Sequence, residues 1–159
     1  MSHSLFAKTE NEKLLQHFEQ AGVDFVVVGG AAVAFHGCRI DGQFDDLDLL
    51  IAPTIENSRR VADALSAAGV PLSSSAESLA KPAIQLPVKT WQYWAEILTP
   101  RKGFDFGSMA KSALPATVGQ QSVRVISRLD LIKMKEDVVA RLREDLSKHE
   151  RDLVCLKDA

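Results

Sequence analysis

Asp46 and Asp48, in the run Asp45-Asp46-Leu47-Asp48-Leu49-Leu50-Ile51, carry the clearest chemical signal in the sequence. On a strand from Asp46 to Ala52, side chains alternate with a period of two, so both carboxylates share one face and Asp45 takes the other. Carboxylates placed this way can share a divalent cation. Mg²⁺ suits such an oxygen site, because it keeps several waters and is bound jointly with substrate phosphates. Glu96, inside Trp94-Ala95-Glu96-Ile97-Leu98, is the candidate third carboxylate, since a strand carboxylate among large apolar groups is costly to bury unpaired. The plainer alternatives are a salt-bridged or edge-exposed Asp pair and a Glu that faces water.

Upstream of the pair, Phe25 to Val28 is a continuous apolar run, the pattern of a central strand buried on both faces. Gly29-Gly30 then allows a tight turn and close backbone approach, and an apolar helix over Ala31 to Phe35 follows, ending near Gly37. A turn of this kind can meet a phosphate, or it can simply join strand to helix. His36 closes that helix as a cap, a packing group or a residue shaping the site. His3, His17 and His149 are too scattered to suggest a metal cluster.

These groups need a scaffold, and the remaining pattern supplies one. Thr9-Glu10-Asn11-Glu12 has capping-box spacing before a helix over Glu10 to Ala21 that Gly22 ends. Thr54 caps a second amphipathic helix, with Ile55, Val61, Ala62, Leu65 and Ala68 as its apolar stripe, ending at Gly69. Val70 to Lys81 reads as a surface connection with one helical turn around Ser75 to Leu79. Pro82 and Pro87 mark Ala83 to Lys89 as an edge strand, and Trp94 to Thr99 is the next strand. Asp105 to Ala113 is a short helix, Ser122 to Ile126 a strand, and Ser127 caps a helix carrying Leu129, Leu131, Ile132 and Met134. From Val138 to Leu156 the pattern stays helical, with a largely solvated charged face.

Composition narrows the class. The 159 residues are 46% apolar and 25% charged, which is ordinary globular chemistry in a chain long enough to bury roughly two-thirds of its unfolded surface. A net charge of −2 gives no support to a broadly basic nucleic-acid face. No secretory leader and no membrane-spanning apolar run is present in the sequence, so a cytoplasmic protein with no membrane partner is expected. Cys38 and Cys155, far apart and without CxxC spacing, read as reduced thiols.

Val28-Gly29-Gly30 followed by Asp46-Leu47-Asp48-Leu49 resembles the signature of the polymerase-beta-like nucleotidyltransferase superfamily. The longer form Gly29-Gly30-x-Ala32-x-x-x-His36-Gly37-x-Arg39 looks like the small bacterial branch that includes AbiEii-type toxins and related uncharacterised nucleotidyltransferases. Weaker similarity continues through Glu96-Ile97-Leu98-Thr99, Val125-Ile126-Ser127-x-x-Asp130-Leu131-Ile132-x-x-Lys135, and Lys148-x-x-x-Asp152-Leu153. The resemblance covers most of the chain from Val23 onward.

It implies an α/β (α+β) nucleotidyltransferase fold, a mixed central β-sheet flanked by helices. The whole of residues 1–159 would be one domain, with a core of about 9–126 and C-terminal helices at about 127–157. It further implies transfer of NMP from an NTP to a hydroxyl on RNA, protein or a small molecule. Asp46, Asp48 and Glu96 would hold two Mg²⁺ ions, with Mn²⁺ as an alternative, and Glu96 would favour deprotonation of the acceptor. Gly29 and Gly30 would meet the triphosphate, and Arg39, Lys135 and Lys148 would complete the nucleotide site. A cognate toxin or antitoxin is the implied partner.

Three features depart from the pattern: the longer gap between Arg39 and Asp46 with Phe44 where Thr is usual, Gly30 rather than Ser as the second residue of the turn, and Glu96 where Asp is usual. They define the alternative, a catalytically inactive nucleotide-binding or partner-binding module of the same fold. A plain structural α/β domain is the third reading.

Overall fold

The computed structural model describes residues 3–5, 10–39, 46–142 and 146–158, with backbone alone at residues 3–5 and at Leu146. The Ile40 to Phe44 loop, Asp45 and Thr9 therefore lie outside the described residues. Seven strands form one mixed sheet: β1 (His3–Leu5), β2 (Phe25–Val28), β3 (Leu47–Ile51), β4 (Gln85–Lys89), β5 (Trp94–Leu98), β6 (Leu114–Val118) and β7 (Gln121–Val125). Their spatial order is β1-β6-β7-β2-β3-β5-β4. The helices are α1 (Asn11–Ala21), α2 (Gly29–Phe35), α3 (Ile55–Ala67), α4 (Phe106–Ser112), α5 (Arg128–Arg141) and α6 (Leu146–Asp158). This is the mixed α+β arrangement expected, a central sheet flanked by helices.

The apolar run of β2 sits mid-sheet, antiparallel to β3 and parallel to β7. Val26, Val27 and Val28 are buried there, as a run apolar on both faces requires. The two prolines do place β4 at an edge, and Ala76–Ala80 forms the one short 3₁₀ turn expected in the surface connection. Core packing centres on Phe18, Leu14 and Leu15 of α1 and Val61 and Leu65 of α3 against the sheet. Truncating a residue such as Phe18 to Ala would cost about 3–5 kcal/mol.

Local chemistry accounts for the helix ends. Thr54 Oγ1 accepts from Asn57 N at 3.1 Å, and Ser127 Oγ accepts from Asp130 N at 3.2 Å. Asn57 is buried although polar, because its amide bonds Asp24 N, Asp24 O and Ala52 O, and so ties α3 to the segment entering β2. The capping box expected at Thr9 and Glu12 lies in part outside the described residues. The Glu12 carboxylate accepts from Gln120 N at 2.9 Å and pins the β6–β7 turn onto α1.

Several expectations need correction. β3 begins at Leu47, so Asp46 lies just before the strand rather than within it. β6 went unread because Leu114-Pro115-Ala116-Thr117-Val118 has no clean alternation. Ile55 and Leu129 are exposed at 51% and 72%, so neither belongs to the apolar stripe of its helix. The helical pattern at the C-terminus divides into α5, which ends at Arg141, and α6, which starts at Leu146.

Cys38 and Cys155 form a disulfide, with Cα atoms 5.7 Å apart across 117 residues. The thiol reading rested on sequence spacing, which says nothing about a pair joined by tertiary packing. No helix among the described residues is long and apolar enough to cross a membrane.

Candidate active site

Asp48 and Glu96 are brought together by strand pairing. β3 and β5 run parallel with Asp48 opposite Glu96 and Leu50 opposite Leu98, so each strand presents a carboxylate followed two residues later by an apolar group on the same face. The neighbouring edge strand β4 sets Pro87 against Glu96 and Lys89 against Trp94.

Gly29 shapes the other wall. Its φ of +65° is in the left-handed region, and a Cβ placed on it would lie 2.0 Å from Asp48 Oδ2. Glycine is therefore required twice over, for its backbone angle and for the close approach of the Asp48 carboxylate. The helix starts at Gly29 rather than at Ala31, so the two glycines form its first residues instead of a separate turn, and a Cβ on Gly29 would meet a carboxylate of the site itself.

The electrostatics are those of crowded negative charge. Burial pushes the Asp48 carboxyl up to about 7, and the nearby charges of Glu96 and Asp46 push in the same direction, against a smaller opposing effect of Lys135 and Lys148. Asp46 turns Oδ2 to Lys89 Nζ at 3.1 Å, while its Oδ1 is buried with no hydrogen-bond partner among the described residues. Lys89 also lies 5.1 Å from the centroid of the Trp94 ring. Among the described residues, no three His, Cys, Asp or Glu side chains already meet at metal-ligand spacing.

A second cluster faces the carboxylates across the groove. Arg39 grips Asp152 through Nε at 3.1 Å and Nη2 at 2.5 Å, and Lys135 Nζ lies 3.1 Å from the same carboxylate. Lys135 Nζ is also 3.0 Å from His149 Nδ1. Burial holds the Lys135 ammonium below the usual lysine range, although Asp152 pulls the other way. Burial likewise lowers His149, helped by the positive charges of Lys135 and Lys148.

Gly29, Gly30, Arg39, Asp46, Asp48, Lys135, Lys148 and His149 line one pocket of about 120 Å³. Glu96 joins Asp48, Lys135 and His149 around an adjoining space of about 270 Å³. All eight candidate residues thus border one continuous groove. They divide by state: Arg39 and Lys135 are committed to Asp152, whereas Lys148 is exposed and makes no ion pair among the described residues.

The backbone can be compared with solved structures at this point. It is similar to the crystal structure of an antigenic nucleotidyltransferase-like protein from Paracoccidioides brasiliensis, at 14% identity and a TM-score of 0.48, over 93% of this chain and 76% of that one. The likeness is one of chain course. No family model and no curated protein matches the sequence.

Sequence reasoning missed Lys89 and His149 as site residues. Lys89 sits on an edge strand whose only signal was its prolines, and His149 was set aside for being isolated in sequence. The spacing Lys148-x-x-x-Asp152 was noted, but the burial of Asp152 depends on α6 packing against Arg39. His36, by contrast, is structural: Nε2 lies 2.8 Å from Ile126 O, and its own carbonyl accepts from Arg128 Nη2 at 3.1 Å.

Proposed function

We propose that the protein is a divalent-cation-dependent nucleotidyltransferase, moving NMP from an NTP to an acceptor hydroxyl. The observation that carries this reading is the orphaned Asp46 Oδ1 beside the facing pair Asp48 and Glu96. A buried carboxylate oxygen without a donor among the described residues, next to a carboxyl that burial and then its acidic neighbours push up to about 7, is a donor set suited to a hard cation. Asp46, Asp48 and Glu96 would hold Mg²⁺ or Mn²⁺, Asp46 exchanging Lys89 for the ion. When bound, such ions neutralise phosphate charge and lower the pKa of the attacking hydroxyl.

The chain's own groups supply the rest. The Gly29-Gly30 start of α2 lets phosphate approach the backbone, and Lys148 supplies a free positive charge for the polyphosphate. Arg39 and Lys135 act as positioning residues, since both charges are spent on Asp152 and fix the groove wall from which His149 projects. Glu96, on the strand farther from Gly29, accepts the proton of the acceptor hydroxyl.

The test is calorimetry with each NTP and Mg²⁺, alongside transfer of labelled NMP. The wild type should bind and transfer, whereas Asp48→Ala and Glu96→Ala should reduce transfer by at least ~10²-fold. Metal-dependent binding and transfer that survive in Asp48→Ala would refute the assignment. The toxin–antitoxin setting implied by the AbiEii-like resemblance is part of the same proposal, and a co-purifying cognate partner would support it.

A further inference from the structure

We infer that the cavity beside the carboxylates is an acceptor subsite for an uncharged alcohol whose hydroxyl is on, or one carbon from, a single apolar ring. The inference rests on the proposed transfer reaction, and it concerns a space that the reaction itself does not require. The cavity measures about 140 Å³, and Leu50, Leu98, Phe104, Met109 and Met134 supply its apolar surface. That volume is close to the apolar cavity of about 150 Å³ that accepts benzene in another protein.

Its placement links it to the reacting centre. Leu50 and Leu98 each lie two residues beyond Asp48 and Glu96 on the same strand face, a step of about 7 Å along the strand. Leu98, Met134 and Val138 border both this cavity and the space around Glu96. A ring seated in the cavity would therefore set a directly attached or one-carbon hydroxyl toward Glu96.

Several polar groups of the wall are already paired within the protein. Thr99 Oγ1 donates to Lys81 O at 2.6 Å and accepts from Ile84 N at 2.8 Å, Thr99 N donates to Ile84 O, and Pro100 O accepts from Ala83 N. Asp137, at the rim, is held by Arg101 at 3.3 Å and Arg141 at 3.0 Å. A base would bury several donors and acceptors where, beside these paired groups, the exposed Gln85 amide is one of few partners, which is costly, whereas an apolar ring needs none. Ala83 also holds φ at 55°, a left-handed angle rare outside glycine, and strain of this kind collects at binding sites.

The step balances simply. The alcohol oxygen bonds to the α-phosphorus, the bond from that phosphorus to the bridging oxygen breaks, and pyrophosphate leaves with the electron pair. The hydroxyl proton passes to Glu96 and then to water.

Methionine methyl NMR tests the site, because Met109 and Met134 line the cavity. With benzyl alcohol as the titrant, the Met109 and Met134 signals should move saturably. Transfer to benzyl alcohol should exceed transfer to ethanol by at least ~10-fold. Met109→Trp, read at the Met134 methyl, and, as a second filling variant, Ile84→Phe should abolish both effects while leaving binding of MgATP unchanged.

Absence of any shift at Met109 and Met134 in a wild type that binds MgATP would overturn the inference. So would displacement of benzyl alcohol from the cavity by MgATP, which would make the space a base pocket, or preference for a charged polyhydroxy acceptor over benzyl alcohol. Failure to bind any NTP would instead overturn the proposed function, and the methionine shifts would still report separately on the cavity.

Discussion

Asp48 faces Glu96 across the parallel ladder between β3 and β5, while the backbone of Gly29 presses on the Asp48 carboxylate from the other side. Burial first, and then the like charge of Glu96 beside it, pushes the Asp48 carboxyl up to about 7.

This gives a pH dependence of definite sign. In the unfolded chain Asp48 titrates near 3.8, and in the folded chain at about 7. Between those values the folded protein binds the extra proton, so stability falls as pH rises through the window, and the penalty is complete above about pH 7. Its size is on the order of 4 kcal/mol. Asp48→Asn should remove it, leaving a variant more stable than the wild type at pH 8 but not at pH 4. Thermal melts of both proteins at the two pH values check this, and parallel melting profiles would contradict it. If the proposed cation site is correct, Mg²⁺ should raise the wild-type melting temperature more at pH 8 than at pH 5.

Gly29→Ala should damage the site more than the fold. The added methyl would drive Asp48 out of position, and the left-handed angle adds about 1–2 kcal/mol of strain. The expected result is a protein with wild-type far-ultraviolet circular dichroism, a modestly lower melting temperature and no metal-dependent NTP binding. Retention of wild-type binding affinity would show that Asp48 need not stand where it does.

Asp152→Asn should be strongly destabilising. The carboxylate is nearly buried and pairs with both Arg39 and Lys135, whose side chains are 13% and 7% exposed, so its loss leaves two cations without a partner. Removing one member of a buried pair costs about 3–5 kcal/mol. Urea denaturation gives the value, and a change below ~1 kcal/mol would mean that water solvates the cluster.

Removing the disulfide should lower stability through the unfolded chain. Cys38 and Cys155 close a loop spanning 117 residues of separation, for which chain entropy gives about 4–5 kcal/mol. Cys38→Ser should therefore unfold at markedly lower denaturant than the oxidised wild type, and a dithiol reductant should bring the wild type to the same midpoint. Equal midpoints before and after reduction would show that the bridge contributes nothing. Because reducing compartments open most disulfides, a protein kept in the cytoplasm would display the reduced behaviour.

The sequence by itself determined the strand, the glycines, the helix and the second strand that carry Gly29 and Asp48, because alternation, helical periodicity and turn residues act within a few positions of one another. It also determined the caps at Thr54 and Ser127 and the edge position of β4. The rest depended on distance through space. Glu96 could be named as a candidate, but only the parallel pairing of β3 with β5 puts it opposite Asp48. Only the docking of α6 brings Asp152 onto Arg39 and Lys135 and joins Cys38 to Cys155. The cavity at Leu50 and Leu98 exists only where β3, β5, α4 and α5 converge, and no local pattern encodes a space between elements.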